Sequence, residues 1–204
     1  MGTTTDKLNH LINTKEGIRQ EINRAYGAEE ASTSGTFSSY IQKLEEHPFY
    51  IMRYIERSIE SIKLFNATSI GNYAFSSCSS LTEVSFPNAI GIGEYAFYKC
   101  SSLTSVSIPK ATSIDTYAFY YCSSLTEVSF PNVTSIGNYA FYSCSKLTTI
   151  YVGTNTSTVC TLSSTNALNN CTSLTNIYVP ASLVDSYKSA TNWSSYADKI
   201  KAAP

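Results

Sequence analysis

Hydrophobic positions recur along the chain with a fixed spacing, and four copies of one motif show it most clearly. YAFSSCSSL begins at Tyr73, and close copies begin at Tyr95, Tyr117 and Tyr139. Each copy is 22 residues from the next, and each carries one cysteine followed three residues later by leucine. A fixed period of about 20–50 residues is typical of a solenoid, whose repeats bury their apolar faces against one another. The sequence therefore predicts stacked repeats.

An alternation of apolar and polar residues predicts a short strand in each repeat. In LTEVSFP, Leu81, Val84 and Phe86 are placed inward,. Pro87 should end the pairing because proline has no N–H group. The same columns predict six strands, near residues 59–64, 81–86, 103–108, 125–130, 147–152 and 174–179. The last step is 27 residues long, which indicates an insertion of five residues.

The other half of each repeat shows helical spacing. Ile70, Ala74 and Cys78 share one face, with Gly71 at the N-cap position, which predicts a brief α-helix or 3₁₀ helix,. The pattern LxxVxFP followed by IGxYAFxxCSS resembles the bacterial BspA-type leucine-rich repeats over residues 59–180. The resemblance implies an α/β leucine-rich-repeat solenoid, with a curved parallel sheet of about six short strands on the concave side. It also implies short convex helices and no catalytic apparatus.

Apolar stripes with helical spacing flank the repeats on both sides. The C-terminal stripe follows Asn192 as N-cap and consists of Trp193, Tyr196, Ala197 and Ile200,. The predicted parts are an N-terminal helical segment at 1–47, the repeat solenoid at 48–180 and a C-terminal helical cap at 181–204. The N-terminal segment resembles tail-associated proteins of bacteriophages, and a cap or a helix that forms homo-oligomers is the alternative.

Six cysteines would suit a disulfide framework, but stacking argues against it,. Equivalent residues of stacked repeats lie about 4.7–5 Å apart, whereas a disulfide requires sulfurs at about 2.05 Å. Five cysteines are therefore predicted as a column of buried thiols bonded to turn backbone: Cys78, Cys100, Cys122, Cys144 and Cys171. A linear column does not converge on a point as zinc ligands do, so no metal is predicted. Cys160 lies outside the column and is the candidate for a reactive thiol.

Composition removes several classes of function. The net charge is −1 and Lys and Arg do not cluster, so no nucleic-acid binding is predicted,. No stretch approaches about 18–20 apolar residues, so membrane insertion is not predicted,. The opening MGTTTDKLNHL has no signal-peptide pattern,. With only His10 and His47 and few carboxylates, the chain is predicted to be no enzyme and to hold no cofactor,.

The candidate chemistry lies in the tyrosines, of which there are 16. A tyrosine offers a rigid apolar ring with a polar tip, which suits contact with a protein or a glycan. The candidate ligand-binding residues are Tyr98, Tyr120, Tyr121 and Tyr142 on the convex side, and Tyr151, Tyr178, Glu83 and Glu127 on the concave side. The alternative is that the rings stack on each other and shield the backbone.

The predicted function is non-catalytic recognition of a protein or glycan on a cell surface. The family resemblance implies its surface and adhesion part, with a location at the cell surface, outside the cell or on a phage-like particle. The alternative is a structural component of a phage-like particle that docks or oligomerises through its N-terminal helices.

Overall fold

The structure of the protein is a computed structural model that describes residues 60–204. The predicted N-terminal helical segment at 1–47 lies outside the described residues, as does Ile59 at the start of the first predicted strand. Within residues 60–204, no helix is long and apolar enough to cross a membrane.

The repeats form two sets of parallel strands. The long-strand sheet consists of β1 (Ser61–Lys63), β2 (Glu83–Ser85), β4 (Ser105–Ser107), β6 (Glu127–Phe130), β8 (Thr149–Val152), β10 (Asn176–Val179) and β11 (Ile200–Ala202). The short-strand sheet consists of β3 (Gly91–Ile92), β5 (Ser113–Ile114), β7 (Ser135–Ile136) and β9 (Thr161–Leu162). All pairs are parallel, which confirms the predicted α/β leucine-rich-repeat solenoid. The short-strand sheet was not predicted.

The strand register reproduces the sequence period. Val84 lies beside Val106, one repeat away, and Ile150 lies beside Ile177 across the longer step. All six predicted strands are therefore confirmed, with shorter bounds than the pattern indicated. Among the described residues no ladder pairs β4 with β6, so the long-strand sheet has two segments, β1-β2-β4 and β6-β8-β10-β11. The short-strand sheet continues across the same repeats through β5 and β7.

Columns of identical side chains fill the core between the sheets and the turns. Leu81, Val84 and Phe86 are buried, as the alternation predicts. A second column of phenylalanines stacks ring on ring, with centroids 5.2 Å apart between Phe97 and Phe119 and 5.2 Å between Phe119 and Phe141. Burial of such rings contributes to the stabilisation that one repeat gives the next.

The predicted brief helix at 70–78 is a run of turns instead. Along it, successive N–H groups alternate between two kinds of partner. Ala74 N–H donates to Gly71 O at 3.3 Å within the repeat, while Phe75 N–H donates to Ala96 O at 2.8 Å in the next repeat. Tyr73 and Ser77 adopt positive φ angles of 59° and 65°, which interrupt any helix. Turns are preferred here because half of the N–H groups of this segment then donate hydrogen bonds to carbonyl groups of the neighbouring repeat.

The C-terminal segment differs in part from the predicted helical stripe. It contains a 3₁₀ helix at Ala181–Leu183, α1 at Val184–Ser189 and a 3₁₀ helix at Trp193–Tyr196. The stripe ends at Tyr196, and Ile200 lies in β11, which pairs with β10. Asn192 occupies the predicted N-cap position of the second 3₁₀ helix but makes no side-chain capping bond: its φ is 66°, and its side-chain amide donates to Leu162 O at 2.7 Å. Its bond ties this segment to β9.

Candidate recognition surfaces

The turn segments carry eight tyrosines whose rings touch one another, and we call this set the tyrosine surface. Its members are Tyr73, Tyr95, Tyr117 and Tyr139 in a first column, Tyr98, Tyr120 and Tyr142 in a second column, and Tyr121 beside the second column. The sequence predicted the second column and Tyr121 as candidate contact residues. The first column joins them because it lies three residues earlier in the same turns.

Stacking between repeats orients the rings. Tyr98 and Tyr120 lie 5.1 Å apart between centroids at 10°, and Tyr120 and Tyr142 repeat this geometry. The two columns meet edge to face, with 5.3 Å between Tyr117 and Tyr120. The stacking that the sequence left open as the alternative is therefore present. Ring faces inside each column are covered by neighbouring rings, so the columns present mainly ring edges and hydroxyl groups to solvent.

The environment of the tyrosine surface is only partly polar. Burial and the neighbouring rings raise the pKa of Tyr120, so its phenol stays neutral at physiological pH,. The Lys99 ammonium lies 5.1 Å from the centroid of the Tyr98 ring, and Asn170 donates to the Tyr142 hydroxyl at 2.9 Å. Tyr121, beside the second column, is 45% exposed and is more accessible than the three rings of that column.

A second candidate surface is the face of the long-strand sheet that points away from the core, which we call the open sheet face. One column of this face is Ser61, Glu83, Ser105, Glu127, Thr149 and Asn176, and the other is Lys63, Ser85, Ser107, Ser129, Tyr151, Tyr178 and Lys201. All but Lys201 are outward positions that the alternation predicts; Lys201 lies in β11, in the segment that the sequence predicted as a helical cap. Six of these thirteen residues are serine or threonine, so the large and charged residues dominate the chemistry of the face.

The charged and aromatic residues of the open sheet face fall into two groups. Glu83 forms an ion pair with Lys63 at 3.1 Å and accepts a hydrogen bond from the Ser61 hydroxyl at 3.4 Å. Tyr151 stacks on Tyr178 with centroids 4.9 Å apart at 24°. Partial desolvation, the Glu127 carboxylate and Tyr178 together raise the pKa of Tyr151. The candidate residues thus lie on two surfaces, and no ring contact among residues 60–204 joins Tyr151 or Tyr178 to the tyrosine surface.

The cysteine column has the predicted structure. All its members are buried thiols, and none forms a disulfide. Each thiol from the second onward donates to the carbonyl of a core phenylalanine in the preceding repeat, for example Cys122 Sγ to Phe97 O at 3.1 Å and Cys144 Sγ to Phe119 O at 3.2 Å. Burial raises the pKa of the Cys122 and Cys144 thiols well above the ordinary value. These thiols are therefore structural.

Cys160, the candidate for a reactive thiol, is buried at 1% exposure beneath the C-terminal segment. Its N–H donates to the Tyr187 hydroxyl at 2.9 Å, and its carbonyl accepts from Trp193 Nε1 at 2.6 Å. Burial raises the pKa of its thiol to about 12. The insertion that carries Cys160 could not be aligned with the repeats, so its burial had no signal in the sequence.

We expect Cys160 to resist alkylation in the folded protein. At pH 8 a thiol with a pKa near 12 is ionised to only about one part in 10⁴, and the thiolate is the reactive form,. Mass spectrometry after iodoacetamide treatment should find Cys160 unlabelled in native protein and labelled in urea. Rapid labelling of Cys160 in native protein, with Cys122 protected as the internal control, would contradict its burial.

Comparisons with known proteins agree with this fold. A family model described as BspA type leucine rich repeat region matches six copies, over residues 23–91, 42–163 and 91–200. Among curated proteins, none matches the chain. The chain is similar to solved structures of a leucine-rich repeat protein of T. pallidum (27% identity, TM-score 0.50, covering 57% of this chain and 54% of that chain) and of one from Bacteroides ovatus ATCC 8483 (27%, 0.59, 74% and 38%).

A third similar structure is that of a leucine rich cell surface protein from Faecalibacterium prausnitzii A2-165. It has 24% identity and a TM-score of 0.56, and the match covers 73% of this chain and 37% of that chain. The chain therefore spans about half or less of each of these three proteins. At such identities the likeness supports the architecture of the repeats.

Proposed function

Because the chain belongs to the BspA-type leucine-rich repeat family, we propose that it is a non-catalytic recognition scaffold that binds a protein on a cell surface through its tyrosine surface. The observation that carries the proposal is the continuous array of eight tyrosines in ring contact on the turn segments, seven of them stacked in two columns. The cell surface is the location that the family resemblance implies.

The orientation of the rings favours a protein over a glycan. A sugar ring packs its C–H groups against the face of an aromatic ring, where the partial charge is negative. In the tyrosine surface those faces are largely occupied, since Tyr120 has Tyr98 on one side and Tyr142 on the other. What remains accessible is a rigid set of edges and hydroxyls. Such a surface suits a protein partner because it loses little conformational entropy on binding.

The chemistry of the described residues supports a role without catalysis. Residues 60–204 contain no histidine. The thiols of Cys122 and Cys160 are buried and have raised pKa values, so they are poor nucleophiles,. No group of three potential metal ligands occurs within this part of the chain. A scaffold that presents repeated side chains is the use that fits this composition.

Substitution of the second tyrosine column tests the proposal. The variant Tyr98→Ser/Tyr120→Ser/Tyr142→Ser removes three rings from the centre of the surface. We expect it to bind cells at least about tenfold more weakly than the native chain, because central aromatic residues dominate most protein interfaces. The measurement is flow cytometry with the labelled full chain on a panel of bacterial and epithelial cells, treated beforehand with protease or with periodate.

Two matched variants separate folding from binding. The triple Tyr→Phe variant keeps the stacked rings and removes only the hydroxyls, and Lys188→Ala changes an exposed residue of α1 that lies outside the tyrosine surface. Both should melt near the native temperature, and Lys188→Ala should bind normally. Binding abolished by periodate but not by protease would replace the protein partner with a glycan. Absence of binding to every cell type would reject the recognition role.

The assembly role predicted from the sequence stays a separate prediction. It depends on residues 1–47, which lie outside the described residues, and no feature of residues 60–204 favours it over recognition. Comparing the oligomeric state of the full chain with that of a chain starting near residue 48 would test it.

A further inference from the structure

One tyrosine of the open sheet face has a ring face that is not covered by another ring. Tyr178 covers one face of Tyr151, at 4.9 Å between centroids. On the opposite side, the register places Ser129 of β6 beside Tyr151. A serine side chain is too short to cover an aromatic ring on the next strand. Among residues 60–204, no ring contact covers the face of Tyr151 that points toward β6, in contrast to the rings inside the tyrosine columns.

A carboxylate lies next to this open ring face. Glu127 precedes Ser129 by two residues on the same face of β6, and Thr149, its partner in the register, precedes Tyr151 by two on β8. Neighbouring strands are about 4.8 Å apart and residues rise about 3.3 Å each along a strand. The long side chain of Glu127 can therefore reach the space in front of the Tyr151 ring.

The charge of Glu127 is not compensated within the described part of the chain. The equivalent residue two repeats earlier is Glu83, which forms an ion pair with Lys63 at 3.1 Å. The position that corresponds to Lys63 in the repeat before Glu127 is Ser107, which carries no charge. The ion pairs formed by residues 60–204 do not include Glu127. An exposed carboxylate beside an uncovered aromatic face thus has no cation partner among residues 60–204.

The other cations of the open sheet face are placed elsewhere. The Lys201 ammonium donates to Asn176 Oδ1 at 2.6 Å, and in the register Lys201 lies beside Tyr178, on the side of the ring pair away from β6. The long-strand ladder is also interrupted between β4 and β6, so the site lies where β6 is a segment edge. The potential in front of Tyr151 is therefore set mainly by Glu127.

We propose that the uncovered face of Tyr151 and the carboxylate of Glu127 bind an arginine side chain of a protein at the open sheet face, a second contact separate from the tyrosine surface. A guanidinium group is planar, stacks on aromatic faces and donates paired hydrogen bonds to a carboxylate. The same chain already holds a cation over a tyrosine, with the Lys99 ammonium 5.1 Å from the Tyr98 ring centroid. This inference rests on the proposed function, because it assumes that the partner is a protein.

The test is a titration of the isotope-labelled full chain with a Gly-Arg-Gly peptide, followed by NMR. We expect shifts at the amides of Glu127, Ser129 and Tyr151. The matching citrulline peptide, which keeps the shape and loses the charge, should need at least about tenfold higher concentration. Glu127→Gln should weaken binding of the arginine peptide by a similar factor. Ser107→Lys should also weaken it, because the new ammonium takes the position that Lys63 has beside Glu83.

Two variants serve as controls. Asp185→Asn removes an exposed carboxylate of α1, outside the open sheet face, and should leave binding unchanged; Tyr151→Phe keeps the ring and should also bind. Equal binding of the arginine and citrulline peptides, or of native protein and Glu127→Gln, would reject the inference. Shifts with choline or cellobiose but not with the arginine peptide would also reject it. Cell binding that survives in Glu127→Gln, together with no peptide binding, would reject only the arginine site and leave the proposed function standing.

Discussion

Replacing Phe119 with alanine is expected to lower the free energy of unfolding by about 3–5 kcal/mol, the range for removing a buried aromatic ring. Phe119 is fully buried, and its ring is stacked between Phe97 and Phe141 at 5.2 Å on each side. Loss of the ring leaves a cavity and removes the stacking contacts with both Phe97 and Phe141. In a solenoid each repeat is stabilised only by its neighbours, so the structure has little freedom to collapse around the gap. Urea unfolding followed by circular dichroism measures the change.

Two companion variants keep this expectation testable. Tyr121→Ala removes a ring that is 45% exposed in the adjacent turn, and should cost less than about 1 kcal/mol,. If Phe119→Ala does not fold, Phe119→Leu, which retains most of the volume, should fold with a smaller loss. A loss for Phe119→Ala no greater than that for Tyr121→Ala would mean that the phenylalanine column is not the core.

The strands and their stacking could be predicted because both signals are local and repeated. Val84 and Phe86 alternate with polar residues, Pro87 has no N–H group, and the same order returns 22 residues later. The inward placement of these residues and the parallel register then follow from the period alone. The insertion before Leu174 was also readable, because the strand pattern resumes after it.

The turns were harder to predict because their pattern fits two structures. Ile70, Ala74 and Cys78 are spaced as on a helix, and the same spacing also places them inward in a run of turns. The difference lies in the backbone of Tyr73, whose φ of 59° is uncommon for a residue with a large side chain,. Its N–H donates to Glu94 O at 2.9 Å, and its ring stacks on Tyr95. Both of these stabilising contacts are made with the next repeat. A single repeat read alone cannot show them.

The candidate site divides in the same way. The outward columns were predictable from the alternation. Comparing them would also have shown that Ser107 occupies, relative to Glu127, the position from which Lys63 forms an ion pair with Glu83. Which ring faces are free was not predictable, because that depends on which neighbour each ring stacks upon. Tyr120 in the turn motif and Tyr151 in a strand were both predicted as candidate contacts. The structure distinguishes them, because rings flank Tyr120 on both sides, whereas Tyr151 has a ring on one side and Ser129 on the other.

Raising the pH from 8 to 10 should destabilise the fold strongly through its buried thiols. Burial raises the pKa of Cys100, Cys122 and Cys144 well above the ordinary value, and that of Cys160 to about 12. In the unfolded chain a thiol ionises near pH 8.5. Above that pH the unfolded state therefore binds fewer protons than the folded state, and stability falls as the pH rises. Below about pH 8 the contribution is fully retained.

The expected slope is large because the effect adds over the buried thiols. Each thiol whose ionisation is suppressed in the folded state contributes about −1.4 kcal/mol per pH unit once the unfolded thiols are ionised. The four thiols together give about −5 kcal/mol per pH unit above pH 9, which is comparable to the whole stability of many domains. Urea unfolding at pH 7, 8, 9 and 10, with a phosphine reductant and without oxygen, measures this slope.

A single substitution provides the matched control for the alkaline loss of stability. Serine at position 122 keeps a donor for the Phe97 carbonyl, which now accepts from Cys122 Sγ at 3.1 Å, but it does not ionise in this range,. Cys122→Ser should therefore reduce the slope by about 1.4 kcal/mol per pH unit, whatever its effect at pH 7. A free energy of unfolding that is the same at pH 8 and pH 10, or a slope that Cys122→Ser leaves unchanged, would show that the thiols ionise freely in the folded protein. The column would then be open to solvent, and the repeats could not be packed against one another as the register requires.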